Sequence, residues 1–166
     1  MSIFALQIGV LSGARVIVTS SSDEKLERAR KLGAFHTINY KKNPDWDEEV
    51  RRVTGGTGVD AVVEVGGAGT FQKSVRSIRM DGHVGIIGNL SGIDAGLNLS
   101  ETVVGHANIH GIYVGSRQMF EDMNQAISAH KMRPVIDRVY LLADWRMALE
   151  DLQKGEHFGK LVIRVE

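Results

Sequence analysis

Apolar positions along this chain switch repeatedly between a helical spacing and short unbroken runs. Ile3, Phe4, Leu6, Ile8, Val10 and Leu11, with Ala5 and Gly9 as small contacts, predict an opening helix that stops near Gly13. Ala14 to Thr19 predicts a strand, Leu26 to Leu32 a helix stopped by Gly33, and His36 to Tyr40 a second strand. Pro44 opens a helix near Asp45 that turns Trp46, Val50 and Val53 inward and ends at Thr54-Gly55-Gly56. Val59 to Val65 and Gly82 to Gly88 are apolar enough for strands buried on both faces of a parallel sheet. Between them a glycine turn, Gly66 to Thr70, leads into a helix through Phe71, Val75 and Ile78. A short helix around Glu101 to Ala107 precedes a strand from Ile109 to Gly115. Ser116 then caps a helix whose core face is Met119, Phe120, Met123, Ala126 and Ile127. Pro134 to Leu142 reads as a crossover to a last helix, Asp144 to Lys154, and Lys160 to Val165 closes as a strand. Strands alternating with helices predict an α/β fold, a doubly wound parallel sheet in one domain spanning 1–166.

Composition narrows the function classes. Twenty basic and twenty acidic side chains leave no net field to attract nucleic acid or an anionic membrane. Cysteine is absent, which excludes disulfides, thiolate zinc sites and a cysteine nucleophile, and fits a cytoplasmic location. No apolar run approaches the ~20 residues of a membrane span, and Met1 to Leu11 lacks the pattern of a secretion signal.

The stretch Ala14 to Lys25 carries the sharpest chemistry. Where a strand of this kind meets the adenosine ribose of a dinucleotide, an acidic residue favours NAD because it accepts from the ribose hydroxyls. Here the strand tip is Ser20, followed by Ser21 and Ser22, with Lys25 one turn on. Hydroxyls and an ammonium can receive a 2′-phosphate that a carboxylate would repel, so this tip points to NADP. The same serines are also what a plain helix-capping turn would use. Other candidates fall away. Gly66-Gly67-Ala68-Gly69-Thr70 lacks the third glycine of a pyrophosphate loop, and Gly155 to Leu161 lacks the spacing and hydroxyl of a triphosphate loop. His106 and His110 are four apart without the glutamate of a zinc-protease motif. Gly88-Asn89-Leu90-Ser91-Gly92 is no nucleophile elbow. The acids Asp45, Asp47, Glu48 and Glu49 read as a favourable first helical turn rather than an acid/base pair.

Taken in order, Gly13 to Lys25, Leu32-Gly33-Ala34, Ile38-Asn39-Tyr40, Gly58-Val59-Asp60, Glu64-Val65-Gly66-Gly67, Gly88-Asn89 and Phe158-Gly159-Lys160-Leu161-Val162 resemble the cofactor domain of the medium-chain dehydrogenase/reductase superfamily. The likeness is strongest to zinc-type alcohol dehydrogenase-like and quinone oxidoreductase proteins and covers nearly the whole chain. It implies a Rossmann-like sheet and an NADP(H) cofactor met by Ser20, Ser21, Lys25 and Tyr40 at the adenosine phosphate. Val65, Gly66, Ile87, Gly88, Asn89, Tyr113 and Val114 would line the path to the nicotinamide, with Lys160 a further candidate. It also implies a homodimer through the edge strand Ile109 to Val114.

The departures from that pattern shape the expectation. The family's first strand and its glycine-rich turn would precede Ser2, and its catalytic domain, with any zinc ligands, lies outside this sequence. The chain is therefore expected to be a cofactor domain incomplete at its N-terminus, unable alone to complete hydride transfer to a carbonyl, alcohol or quinone carbon. Loss of a central strand should leave two neighbours with unpaired backbone, unless the two halves of the sheet close together or another chain lends a strand. The rival expectation is a noncatalytic assembly module. A methyltransferase-like domain would want an acid at Ser20.

Overall fold

The computed structural model describes residues 1–94, 96 and 98–166. Among the described residues seven helices and seven strands alternate: α1 (Ser2–Leu11), β1 (Ile17–Ser20), α2 (Asp23–Lys31), β2 (His36–Asn39), α3 (Trp46–Val53), β3 (Val59–Glu64), α4 (Phe71–Ser77) and β4 (Ile78–Ile86). Then follow α5 (Leu99–Val104), β5 (Asn108–Gly111), α6 (Arg117–Ala129), β6 (Ile136–Leu141), a single 3-10 turn, α7 (Trp145–Lys154) and β7 (Lys160–Arg164). Every strand pair is parallel, in the orders β1-β2, β3-β4-β5 and β6-β7. Parallel neighbours need a crossover, and each helix between paired strands supplies one.

Three apolar clusters hold these elements together. Leu6 of α1, Ala29 of α2 and Phe158 pack with Val16, Val18 and Val135, and join α1, α2 and β1 to the β6-β7 pair. Helix α1 approaches closely because residue 9 is glycine: a Cβ there would stand 2.7 Å from Val16 Cγ2. Trp46 and Val50 of α3 meet Ile38, Ile17 and Val59, bridging the β1-β2 pair and the three-stranded sheet. Phe71 and Val75 of α4 cover Val84 and Ile78, with Val62, Ile86 and Ile109 around them. The caps follow the sequence. Ser22 Oγ accepts from the Lys25 amide at 3.3 Å and Ser116 Oγ from the Met119 amide at 3.2 Å.

Several expectations are corrected. β1 starts at Ile17 rather than Ala14, because pairing begins only where the Phe35 amide reaches the Val16 carbonyl at 2.9 Å. Val59 to Val65 is not buried on both faces: Val63 is 47% exposed and Ala61 is exposed, since the helical layer covers only the Val59 and Val62 side. Ile78 does not end a helix but begins β4, paired with Val59 before a bulge that lasts until Ala61 meets His83. Pro134 to Leu142 is not merely a crossover, for it contains β6. The stripe Met119, Phe120, Met123, Ala126 and Ile127 is not a core face, as α6 has no buried residue. Tyr113 and Val114 lie beyond the end of β5, 97% and 77% exposed. The two halves of the sheet do not close by pairing: among the described residues β1 pairs only with β2, and β3 only with β4.

Candidate functional site

Two clusters form at the C-terminal ends of the strands. The first lies at the tips of β1 and β2. Four register pairs, ending in Ser20 opposite Asn39, and the Tyr40 amide on the Ser20 carbonyl at 3.1 Å bring Ser20, Ser21 and Tyr40 together. Ser20 Oγ accepts from the Ser22 amide at 3.2 Å, which tightens the turn into α2. Ser21 and Tyr40 are exposed and free to meet a ligand. Lys25 Nζ donates to the Gly155 carbonyl at 2.7 Å, at the left-handed cap of α7.

Sequence reasoning missed the other polar groups of this tip. Asp23 opens α2, where its charge suits the helix dipole. Its Oδ1 accepts from Asn39 Nδ2 at 2.7 Å and its Oδ2 from Lys42 Nζ at 2.5 Å. These bonds from Lys42 and Asn39 hold the Asp23 carboxyl below its ordinary range. The only signal in the sequence was a lysine pair directly after Ile38-Asn39-Tyr40.

The second cluster joins the ends of β3 and β4. Val65, Gly66, Ile87, Gly88 and Asn89 come together through a residue the sequence reading did not single out. Glu64, only 3% exposed, accepts from the Gly66 amide at 2.6 Å, the Gly67 amide at 3.0 Å and Thr70 Oγ1 at 2.7 Å, and from the Ser74 hydroxyl. Its own carbonyl takes the Ile87 and Gly88 amides at 2.9 and 3.2 Å. Ser91 ties the second loop to the first, its Oγ accepting from the Gly69 amide at 2.7 Å and donating to the Gly66 carbonyl at 2.8 Å. An acid closing an apolar strand just before two glycines was the available signal.

This network decides what the loop can bind. The Ala68 amide goes to the Gly92 carbonyl, and the Thr70 and Phe71 amides to the Gly67 carbonyl, at 2.9–3.0 Å. Every backbone N–H from Gly66 to Phe71 is therefore spent internally. A phosphate cradle needs those donors free. The glycines serve the close packing of the two loops: a Cβ on Gly66 would strike Thr70 Oγ1 at 2.2 Å, and one on Gly88 the Val65 carbonyl oxygen at 2.4 Å.

The remaining candidates lie elsewhere. Lys160 Nζ sits 5.6 Å from the ring centre of Phe4, beside the first turn of α1. The α1 N-terminus, where the dipole favours an anion, thus has one cation beside it. His106 and His110 do not converge: His110 Nε2 faces His83 Nδ1 at 3.4 Å, while His106 Nδ1 lies 4.0 Å from Asp81. Among the described residues no three His, Cys, Asp or Glu side chains gather as a metal site. Nor do the first-turn acids of α3 pair for acid/base work. Asp47 is buried against Lys73 and Arg76, and Glu49 is bound by Arg52 and His36. A cleft of about 670 Å³ lies where β4 begins, between Ile78, Met80 and Glu101, away from the strand tips. Its Arg51 is already spent on the carbonyls of Gly56, Thr57, Arg76 and Ile78.

Parallel α/β units with ligand-facing groups at the C-terminal strand ends define a Rossmann-like nucleotide-binding domain. The comparisons specify it. The zinc-binding dehydrogenase family model matches residues 1–129, and the chain belongs to that family as a cofactor domain of the medium-chain dehydrogenase/reductase type. It is 43% identical over 171 residues to a zinc-type alcohol dehydrogenase-like protein of Schizosaccharomyces pombe, a match covering all of this chain and 49% of the relative. A solved NAD-dependent alcohol dehydrogenase superposes with a TM-score of 0.91 at 36% identity, over 99% of this chain and 48% of that one. A mycobacterial protein solved with NADPH gives a TM-score of 0.78 at 26% identity, over 95% of this chain and 52% of that one. The chain spans about half the length of the relatives it matches. No described helix is long and apolar enough to cross a membrane.

Proposed function

We propose that this chain is the NADP(H)-binding domain of an alcohol dehydrogenase or quinone oxidoreductase-like enzyme that transfers hydride between the nicotinamide and a carbonyl, alcohol or quinone carbon. The observation that carries the cofactor choice is the tip of β1: a half-buried serine stands where an NAD site needs a carboxylate, and Asp23, the acid nearest in sequence, has both oxygens engaged by Asn39 and Lys42. Ser20, Ser21 and Tyr40, with Lys25 and Lys42, would receive the 2′-phosphate. Val65, Gly66, Ile87, Gly88 and Asn89 would bed the nicotinamide half, with Tyr113 and Val114 closing its far side and Lys160 meeting the phosphates at α1. When bound, the cofactor supplies the hydride; the protein's part is to orient it and keep its face open to the acceptor. Substrate handling, and zinc if used, belongs to the remainder of a longer enzyme.

Calorimetric titration with NADPH and with NADH tests this. Saturable NADPH binding that weakens at least tenfold, about 1.4 kcal/mol, in Ser20→Asp is expected. Equal affinity for both cofactors refutes the NADP assignment, and binding of neither by a folded sample refutes the site. A second reading, assembly as a homodimer through the edge Ile109 to Val114, is favoured by the exposure of Ile112, Tyr113 and Val114 just beyond β5, which among the described residues pairs only with β4. Ile112→Lys should then abolish dimers in sedimentation; a monomeric parent chain removes this reading.

A further inference from the structure

We infer that Glu64 is a positioning residue for the nicotinamide half of the cofactor site, acting through the two glycine loops that follow β3 and β4. The inference rests on the dinucleotide-binding reading above and adds a residue that touches no ligand itself. A carboxylate at 3% exposure must have its lone pairs filled, and here neutral donors fill them: two consecutive backbone amides, Gly66 and Gly67, and the hydroxyls of Thr70 and Ser74. One side chain therefore fixes the turn out of β3, the first residue before α4 and the second turn of that helix. The second loop is set by the first. Ser91 Oγ and its amide hold the Gly66 carbonyl at 2.8 and 2.7 Å, and the Gly92 carbonyl takes the Ala68 amide at 3.0 Å.

Removing the carboxylate would leave two amides without the acceptor that holds them, and the turn they define would loosen. Gly88 would then lose its register, because its backbone lies so close to Val65 that not even a methyl group fits between them. The tips of β1 and β2 use none of these bonds; their turn is held by Ser20, Ser22, Asn39 and Asp23. Glu64 thus acts on one half of the site and not on the other.

The test separates the two halves. Titrations of the whole chain with NADPH and with adenosine 2′,5′-bisphosphate, which carries only the adenosine half, are compared for the parent, Glu64→Ala and Glu64→Gln. Glu64→Ala is expected to weaken NADPH at least tenfold while leaving the bisphosphate within twofold, and Glu64→Gln, which keeps one acceptor for the two amides, to recover most of the loss. Equal loss of both ligands, or NADPH affinity unchanged in a folded Glu64→Ala, overturns the inference. If Glu64→Ala does not fold, Thr70→Val, which removes one donor, should show the same selectivity to a smaller degree, and equal loss of both ligands there also overturns it. Amide hydrogen exchange distinguishes this failure from failure of the cofactor reading. Even where the parent binds no nucleotide, the Gly66, Gly67 and Ser91 amides should lose protection in Glu64→Ala, or to a smaller degree in Thr70→Val where Glu64→Ala does not fold, while those of β2 do not, and unaltered protection at Gly66 and Gly67 refutes the positioning role.

Discussion

Replacing Gly88 by alanine asks whether the two loops owe their shape to direct backbone contact. A Cβ on residue 88 stands 2.4 Å from the Val65 carbonyl oxygen, 2.9 Å from Val65 Cα and 3.0 Å from its carbonyl carbon. None of these atoms ends a flexible side chain, so relief requires the ends of β3 and β4 to part. Overpacking of this kind costs about 1–3 kcal/mol. Parting the strands also strains the Ile87 and Gly88 amide bonds to the Glu64 carbonyl, each worth about 1 kcal/mol net. Gly88→Ala should therefore lose about 2–4 kcal/mol of stability. Its φ is not in the left-handed region, so conformational strain contributes nothing to that loss. Gly111→Ala is the matched control on β5: its Cβ meets nothing within 4 Å and its φ is ordinary. It should be neutral or up to about 1 kcal/mol more stable, by restricting the unfolded chain. Urea unfolding followed by tryptophan fluorescence, with Trp46 buried in the bridge between the two sheets, reads both midpoints. A Gly88→Ala midpoint equal to that of the parent, or equal losses at both glycines, would refute the reasoning.

Two further predictions concern charge. Arg52 bonds Glu49 at 2.6 and 2.7 Å and His36 meets it at 3.0 Å, and these partners, Arg52 first, pull its pKa down to about 2. Because the native pKa lies below the unfolded one, the stabilisation is complete above about pH 4.5 and is lost as pH falls toward 2; Glu49→Gln should flatten the acid limb of a stability profile in that window, and an unchanged limb would count against the assignment. At the β1 tip, Lys42→Ala should weaken NADPH about threefold or more and leave NADH unchanged, the scale expected of an exposed ion contact. Asp23→Asn should do the reverse by releasing Lys42, and titrations in which both variants shift the two cofactors alike would remove Lys42 from the site.

Much of this architecture was legible in the sequence because short apolar runs and helical stripes alternate with few ambiguous stretches. The helices from Ser22 to Leu32 and from Asp45 to Thr54 lie where caps and glycine stops put them. What failed were inferences about faces. The stripe of α6 has the spacing of a buried helix, yet spacing reports only that one side is apolar, not that anything lies against it. Val59 to Val65 failed for the same reason: a strand rich in valine is suited to burial on two faces, but Val63 has a helical layer only on the opposite side of its sheet. At the site, the residues whose backbone approaches a neighbour closely were readable as glycines. Glu64 was only half readable, since an acid before two glycines marks the position but carries no sign of the four donors that tertiary folding turns toward it.

The same limit explains why the cofactor choice rests on the local chemistry of one turn rather than on ancestry. The similar structures include a protein described as NAD-dependent and another solved with NADPH, so kinship alone leaves the nicotinamide open. An NAD site offers the ribose diol a carboxylate near the strand tip. Position 20 is a serine, and the nearby Asp23 already accepts from Asn39 on one oxygen and from Lys42 on the other. Asp23 keeps lone pairs for a further donor, but the cation beside it and the amide already bonded to it make it a weaker acceptor for a diol than an unpaired carboxylate at position 20. To serve a 2′-phosphate, Lys42 need only turn from a monoanion toward a group carrying more charge, while the Ser20 and Ser21 hydroxyls donate without displacing any cation. The weakened acceptor for a diol and the available donors for a phosphate are the physical grounds on which NADP is proposed at this tip.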